Sequence, residues 1–372
     1  MRTKRMASTV VLDPTLRIKP TKKTTPIFNN NNNDSVVEEI EGLIRVYKDG
    51  KVERPPIVPY VDASVLSPDL PVTSRDVVID KYMNIWARFY APFSVTPQLA
   101  HTHDINNNKH PLLVYFHGGG FCVGSASWSC YHEFLSKLSS KLGCLIMSVN
   151  YRLAPENRLP AAYEDGFKSL TWLKQQATTT TTTTNECYWW SRRCDFSRIF
   201  LIGDSAGANI VQHLATSLAS CNPGSDAKRL QPLTFRGTVL IQPFFGGEAR
   251  TFSEKHVAQS PRSALSLPAS DTYWRLALPA GVDRDHPWCN PTANSESLRH
   301  DLPVMVCVSE TDILRDRNLE FCAALSKAGK RVEYKVYGGV GHAFQILSKS
   351  QLSQMRSNEM MAHIKAFISS RC

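Results

Sequence analysis

A serine with glycine at both second neighbours stands near the middle of the chain. The segment Gly203-Asp204-Ser205-Ala206-Gly207 lies between the β-forming run RIFLI and the helical stretch ANIVQHLATSLAS. A serine in a strand-to-helix turn is ordinary in α/β proteins. Glycines on both sides are typical of a nucleophile elbow, because a side chain at either glycine would clash in so sharp a turn. The helix N-terminus beneath the serine favours negative charge. The pattern predicts that Ser205 is a nucleophile for acyl transfer.

A second glycine-rich segment precedes this turn. His117-Gly118-Gly119-Gly120 follows directly on the apolar run PLLVYF. Successive glycines let backbone N–H groups converge on one point, which is what an oxyanion requires. A flexible loop would explain the glycines but not their position after a buried strand. We predict an oxyanion hole built from Gly118, Gly119, Gly120 and Ala206, with the N–H groups of Gly119, Gly120 and Ala206 as donors.

Acyl transfer through a serine also needs a base and a residue that orients the base. His342 lies in the loop GGVGHAF after the run VEYKVY, and Asp312 lies in ETDILRD after PVMVCVSE. The chain order Ser205, Asp312, His342 is that of α/β hydrolases, with each residue just beyond the end of a strand. Asp312 could instead cap the next helix, and Asp316 competes for the acidic role. The positions together predict a triad of Ser205, Asp312 and His342.

Short apolar runs that alternate with amphipathic stretches must position these residues. Strands are predicted for PLLVYF, CLIMSVNY, RIFLIG, GTVLIQP, LPVMVCVSE and VEYKVYGG, and helices for HEFLSKLSSKL, YEDGFKSLTWLKQQ, ANIVQHLATSLAS, NLEFCAALSKAG and residues 351–369. This alternation predicts an α/β-hydrolase fold, a mostly parallel central sheet with helices on both faces. We expect one domain over residues 35–372, with a helical cap from residues 35–76 and about 244–300. GLIRVYKDGKVERPP predicts a hairpin or extended arm.

Aromatic residues near the predicted site suggest a substrate pocket. The alternative is that they pack the cap onto the sheet. Glu156 and Asp165 are interpreted as structural ion-pair partners, not as catalytic carboxylates. The predicted pocket residues are Phe121, Trp128, Phe244, Tyr273 and Phe344.

Charge and composition exclude several classes of protein. Residues 1–33 carry seven basic residues and one acidic residue, and so +6 of the net charge of +10. The remaining charge of about +4 is too small to indicate a nucleic-acid partner. No run reaches 18 apolar residues, so no membrane span is expected. We interpret residues 1–34 as a disordered basic and Asn-rich leader, with an organelle transit peptide as the alternative, and expect a cytoplasmic or nuclear protein. The ten cysteines form no metal-ligand spacing, so no metal is expected.

The motifs together resemble those of a known family. HGGGFCVGS, NYRLAPE, LPAAYED, GDSAGAN, DILRDR and GHAF are similar to motifs of plant carboxylesterases of the hormone-sensitive-lipase type, and the resemblance covers about residues 77–369. It implies an α/β-hydrolase fold and hydrolysis of small carboxylic esters through Ser205, Asp312 and His342, without a cofactor. It does not indicate an oligomeric state. Relatives also include dehydratases, cyclases and gibberellin receptors. The receptors lack the histidine that is present here as His342.

Overall fold

The computed structural model describes residues 35–93, 109–179, 188–219, 226–257, 263–299 and 301–372. The predicted leader lies outside the described residues, as does most of the threonine run Thr178 to Thr184.

An eight-stranded sheet forms the centre of the fold, in the order β11-β10-β9-β8-β6-β7-β5-β4. Only β5 runs antiparallel to its neighbours, β4 and β7, so the sheet is mostly parallel. The six runs predicted as strands are all found in it, and β4 and β5 are additional. The strands are β4 (Val72–Asp80), β5 (Ile85–Pro92), β6 (His110–Phe116), β7 (Leu145–Asn150), β8 (Cys194–Asp204), β9 (Phe235–Ile241), β10 (Val304–Ser309) and β11 (Val332–Tyr337).

Helices cover both faces of this sheet. The helices are α1 (Ser129–Leu142), α2 (Ala161–Thr178), α3 (Tyr188–Ser191), α4 (Ala206–Leu218), α5 (Asp226–Arg229), α6 (Phe252–His256), α7 (Leu267–Ala277), α8 (Arg315–Lys327), α9 (Phe344–Leu347) and α10 (Gln351–Ser369). Successive residues of a strand point to opposite faces. Accordingly Leu112 and Val114 of β6 join the core beneath α2, α4 and α8, whereas Leu113 and Tyr115 join the core beneath α1 and α10. Both faces are therefore apolar at the centre of the sheet, where strands such as β6 and β10 are continuous hydrophobic runs.

A small antiparallel sheet precedes the large one. It consists of β1 (Val36–Ile40), β2 (Ile44–Tyr47) and β3 (Val52–Glu53), and the β2–β3 hairpin matches the predicted one. Glu38 of β1 forms an ion pair with Arg275 of α7, so this sheet lies against the second segment predicted for the cap. The predicted boundary at residue 76 is too late, because β4 already pairs with β5 in the large sheet from Val72 onward.

Candidate active site

Ser205 occupies a sharp turn between β8 and α4. Its backbone angles are φ 51° and ψ −118°, a conformation that residues with a side chain rarely adopt. A Cβ at Gly203 would lie 2.4 Å from the carbonyl carbon of Gly207, and a Cβ at Gly207 would lie 1.9 Å from the carbonyl oxygen of Phe116. Backbone atoms cannot move aside cheaply, so both positions require glycine. This turn presents the Ser205 side chain at the carboxyl end of the sheet.

His342 and Asp312 complete a hydrogen-bonded chain that starts at this serine. Nε2 of His342 lies 2.9 Å from Oγ of Ser205, and Nδ1 of His342 lies 2.7 Å from Oδ2 of Asp312. Burial disfavours the charged imidazole, but the carboxylates of Asp312 and Asp204 outweigh this effect, so the pKa of His342 is raised. The imidazole is thus placed to accept the serine proton and to hold it.

The two competing aspartates lie in different surroundings. Asp312 is 2% exposed, and its Oδ1 accepts the backbone N–H of Leu314 in addition to the contact of Oδ2 with His342. Asp316 accepts the backbone N–H of Ser253 and pairs with Arg315. Asp312 therefore caps the following turn and also contacts His342, whereas the partners of Asp316 lie elsewhere.

Gln242, which the sequence did not single out, holds the loop that carries His342. Its Oε1 accepts the backbone N–H of Ala343 at 2.6 Å, and its Nε2 donates to Oγ of Ser309 at 2.7 Å. Gln242 is 1% exposed. It therefore ties the end of β9 to the end of β10 and to the histidine loop.

The glycine loop after β6 offers two unused donors beside Ser205. Gly119 and Gly120 line the same cavity as Ser205 and His342. Within the described residues, the N–H groups of Gly119, Gly120 and Ala206 have no hydrogen-bond acceptor. These are the three groups predicted as donors.

The inclusion of Gly118 in the predicted oxyanion hole is corrected by its hydrogen bonds. Its N–H already donates to the hydroxyl of Tyr131 at 2.8 Å and to Oδ1 of Asp204 at 3.0 Å. Gly118 therefore anchors the loop and has no donor left for an oxyanion.

The cavity above Ser205 is small and mostly apolar, with a volume of about 90 Å³. The polar residues that line it are Ser205, His342, Asp204, Tyr131 and Tyr273; no lysine or arginine of the described chain lines it. The apolar lining residues are Leu43, Ile57, Val58, Val123, Trp128, Phe244, Ala264, Leu265, Ala343, Ile346 and Leu347.

Three of the five aromatic residues predicted for the pocket do line this cavity, namely Trp128, Phe244 and Tyr273. The other two residues do not line it. Phe121 is 1% exposed and packs among other rings, including Phe244, and Phe344 packs against Tyr337 in the core. For Phe121 and Phe344, packing explains the aromatic side chain.

The N-terminal segment forms one wall of the cavity and is tied to the glycine loop. Arg54 donates to the carbonyls of Cys122 and Ala154 and pairs with both carboxylate oxygens of Glu156. The neighbouring residues Ile57 and Val58 line the cavity. Glu156 is thus a structural partner, as the sequence predicted.

Asp165, the other carboxylate interpreted as structural, is fully buried. It pairs with Arg152 and accepts the backbone N–H of that residue. Neither of these contacts involves Ser205 or His342.

No cluster of three or more metal-ligating residues occurs in the described part of the chain. Within the same residues, no helix is both long enough and apolar enough to cross a membrane.

Comparison with known proteins agrees with this fold. Residues 113–346 match the alpha/beta hydrolase fold family. The chain is 50% identical to probable carboxylesterase 6 of Arabidopsis thaliana, over 94% of this chain and 97% of that one. It is 34% identical to 2-hydroxyisoflavanone dehydratase of Glycine max, over 87% and 98% of the two chains. Among solved structures, a hyperthermophilic esterase from the archaeon Pyrobaculum calidifontis superposes with a TM-score of 0.61 and 25% identity, covering 80% of this chain and 83% of the esterase.

The sheet and the family match define an α/β hydrolase. Within that class, the extent of the match to the Arabidopsis protein is decisive, and the chain belongs to the plant carboxylesterase family, of the hormone-sensitive-lipase type.

Proposed function

We propose that the protein is a serine carboxylesterase that hydrolyses small, uncharged carboxylic esters through an acyl-enzyme. The observation that carries the proposal is the hydrogen-bonded chain from Ser205 through His342 to Asp312, with distances of 2.9 and 2.7 Å, in a cavity that Gly119 and Gly120 also line. Nucleophile, base, orienting carboxylate and oxyanion donors are the parts that acyl transfer through serine requires.

Acylation begins when Oγ of Ser205 attacks the ester carbonyl carbon and His342 accepts the serine proton. The N–H groups of Gly119, Gly120 and Ala206 stabilise the oxyanion, since no other acceptor in the described chain uses them. Asp312 fixes the imidazole tautomer and stabilises its charge. The carbon–oxygen bond to the alcohol then breaks, and His342 protonates the departing alcohol.

Deacylation repeats these steps with water. His342 takes a proton from a water molecule as its oxygen attacks the acyl carbon, and then returns that proton to Oγ of Ser205 as the acid leaves. His342 must be neutral to act as a base, so kcat/KM falls as the pH drops below the raised pKa of His342.

The cavity limits the acyl group in size and charge. Its volume of about 90 Å³ is well below the roughly 300–1,000 Å³ of pockets that hold drug-sized ligands, so a short acyl group fits best. An anionic acyl group would face Asp204 with no lysine or arginine of the described lining to pair with it. We therefore expect p-nitrophenyl acetate and butyrate to be hydrolysed faster than the octanoate, and all three faster than the p-nitrophenyl hemiester of succinic acid.

Hydrolysis by Ser205→Ala tests the proposal. We expect kcat for p-nitrophenyl acetate to fall by more than about 10⁴-fold, while the circular dichroism spectrum is unchanged. Ser217→Ala is the matched control and should keep wild-type turnover, because Ser217 is half-buried on α4 and does not line the cavity. Turnover by Ser205→Ala within tenfold of wild type would contradict the proposal.

Elimination of water is a second candidate reaction, because the chain is 34% identical to a 2-hydroxyisoflavanone dehydratase over 87% of its length. The products separate the two reactions. Hydrolysis releases one acid and one alcohol per ester, and consumes base in a pH-stat. Elimination releases water and no acid.

A further inference from the structure

Asp204, the residue between Gly203 and the nucleophile, carries a buried carboxylate that the steps above do not use. It is 1% exposed. Its Oδ1 accepts the hydroxyl of Tyr115 at 2.5 Å and the N–H of Gly118 at 3.0 Å, and its Oδ2 accepts the hydroxyl of Tyr131 at 3.0 Å. Burying an ionised carboxylate costs free energy unless hydrogen bonds or an opposite charge offset it. The position of Asp204 beside Ser205 therefore raises the question of what this carboxylate does.

One set of contacts joins Asp204 to the glycine loop. The N–H of Gly118 is shared between Asp204 and the Tyr131 hydroxyl, and a Cβ on Gly118 would lie 2.6 Å from Oδ2 of Asp204. The carbonyl of Gly118 lies 2.8 Å from Nδ1 of His117. The peptide groups on both sides of Gly118 are therefore fixed, and they set the direction of the next two N–H groups, those of Gly119 and Gly120.

The charge of Asp204 acts on His342. None of the hydrogen bonds and ion pairs that the described residues make to Asp204 comes from a lysine or arginine. Its field is one of the causes that raise the pKa of His342, after the larger effect of Asp312. The titratable groups that face Asp204 are Tyr115 of β6, Cys130 and Tyr131 of α1, Tyr151 after β7 and His342 after β11.

We propose that Asp204 is a positioning residue for the acyl transfer: it holds the oxyanion loop at Gly118 and places a second negative charge near the imidazolium of His342. Both effects concern the transition state, in which the oxyanion and the imidazolium exist together. The proposal rests on the proposed esterase function for its kinetic part, but the effect on His342 exists whether or not the enzyme turns over.

The test is Asp204→Asn, which removes the charge and keeps the shape. We expect kcat for p-nitrophenyl acetate to fall about tenfold, less than the 10²–10³-fold typical of losing a whole oxyanion donor, with KM within about twofold. The pKa of His342, followed by NMR of its ring C–H groups, should fall by about one unit, as expected when a nearby opposite charge is lost. The acid limb of kcat/KM should move to lower pH by the same amount.

Glu133→Gln is the matched control. It makes the same carboxylate-to-amide change on α1, but Glu133 is exposed and paired with Lys137. We expect its His342 pKa, kcat and KM to equal those of wild type.

Two further variants keep the proposal falsifiable if Asp204→Asn does not fold. Asp204→Ser is a second neutral replacement and should show the same fall in the His342 pKa. Tyr131→Phe removes the hydroxyl that links Gly118 to Asp204 but leaves the carboxylate, so kcat should fall several-fold while the acid limb stays in place.

A folded neutral variant with an unchanged His342 pKa would overturn the proposal. So would an unchanged kcat in both a neutral Asp204 variant and Tyr131→Phe. Wild-type protein that hydrolyses no ester would refute the proposed function instead, and the NMR titration would still decide whether Asp204 acts on His342.

Discussion

The buried charge of Asp204 has a predictable effect on folding stability. Burial raises the pKa of Asp204 from 3.8 to about 6, against the opposing pull of the Tyr115 and Tyr131 hydroxyls. A raised pKa means that the folded state binds this proton more tightly than the unfolded state. The stabilisation that it provides is complete below about pH 4 and is lost as the pH rises through about 6. The shift of about two units, at about 1.4 kcal/mol per unit, corresponds to roughly 3 kcal/mol.

Asp204→Asn cannot ionise and so escapes this loss. We expect the free energy of unfolding of the variant minus that of wild type to be higher by roughly 3 kcal/mol at pH 8 than at pH 3.5, so that the variant gains relative stability as the pH rises. Urea unfolding at 25 °C at several pH values across this range, followed by tryptophan fluorescence, measures the difference directly. The variant would then gain stability at the pH at which it loses activity, as expected for residues retained for function.

Glu133→Gln again serves as the control. The carboxylate of Glu133 is exposed, so the free energy of unfolding of this variant relative to wild type should change by less than about 1 kcal/mol over the same pH range. The reasoning would be refuted if the curves for wild type and Asp204→Asn stayed parallel between pH 3.5 and 8, because Asp204 would then titrate alike in the folded and unfolded chain.

Three further substitutions test other parts of the site. Gly207→Ala places a Cβ 1.9 Å from the carbonyl oxygen of Phe116, so we expect no soluble folded protein on gel filtration. Gly143→Ala is the control: a Cβ there has nothing within 4 Å, so the variant should fold, with a loss of about 1–2 kcal/mol in its free energy of unfolding because the backbone is left-handed at this position. Leu265→Ala enlarges the cavity, so kcat/KM for p-nitrophenyl octanoate should rise relative to acetate; an unchanged ratio would show that Leu265 does not limit the acyl group. Gln242→Leu leaves the histidine loop without its side-chain acceptor, and kcat should fall on the order of 10²-fold with KM little changed; equal effects on both would contradict a positioning role.

Most of the strands predicted from the sequence are apolar on both faces; β11, with its exposed Glu333 and Lys335, is the exception. The antiparallel pair β4 and β5 was not predicted, since β4 carries Arg75 and Asp76 and β5 carries Arg88 in its middle. Arg88 is 1% exposed and pairs with Asp76 of β4. A buried arginine becomes acceptable only with its partner in place, and the pairing of β4 with β5 is not contained in the local pattern.

Site residues were predictable where a sequence motif directly follows a predicted strand. This applies to the nucleophile turn, the glycine loop and the loops after β10 and β11. The roles of Asp204 and Gln242 were not predictable, since each depends on partners from distant strands and helices. Residues 35–76 were predicted as part of the cap, but it was not predicted that Leu43, Ile57 and Val58 would line the cavity. The position of this segment depends on Arg54, which binds residues about 70 to 100 positions further along the chain.

The central claim is that Ser205 is an activated nucleophile. Reaction of the purified protein with a fluorophosphonate, followed by mass spectrometry of the digested peptides, tests it most directly. The account predicts one phosphonyl group per chain, on the peptide containing Ser205, and none in His342→Ala under the same conditions. Labelling at another residue, or equal labelling of His342→Ala, would contradict it.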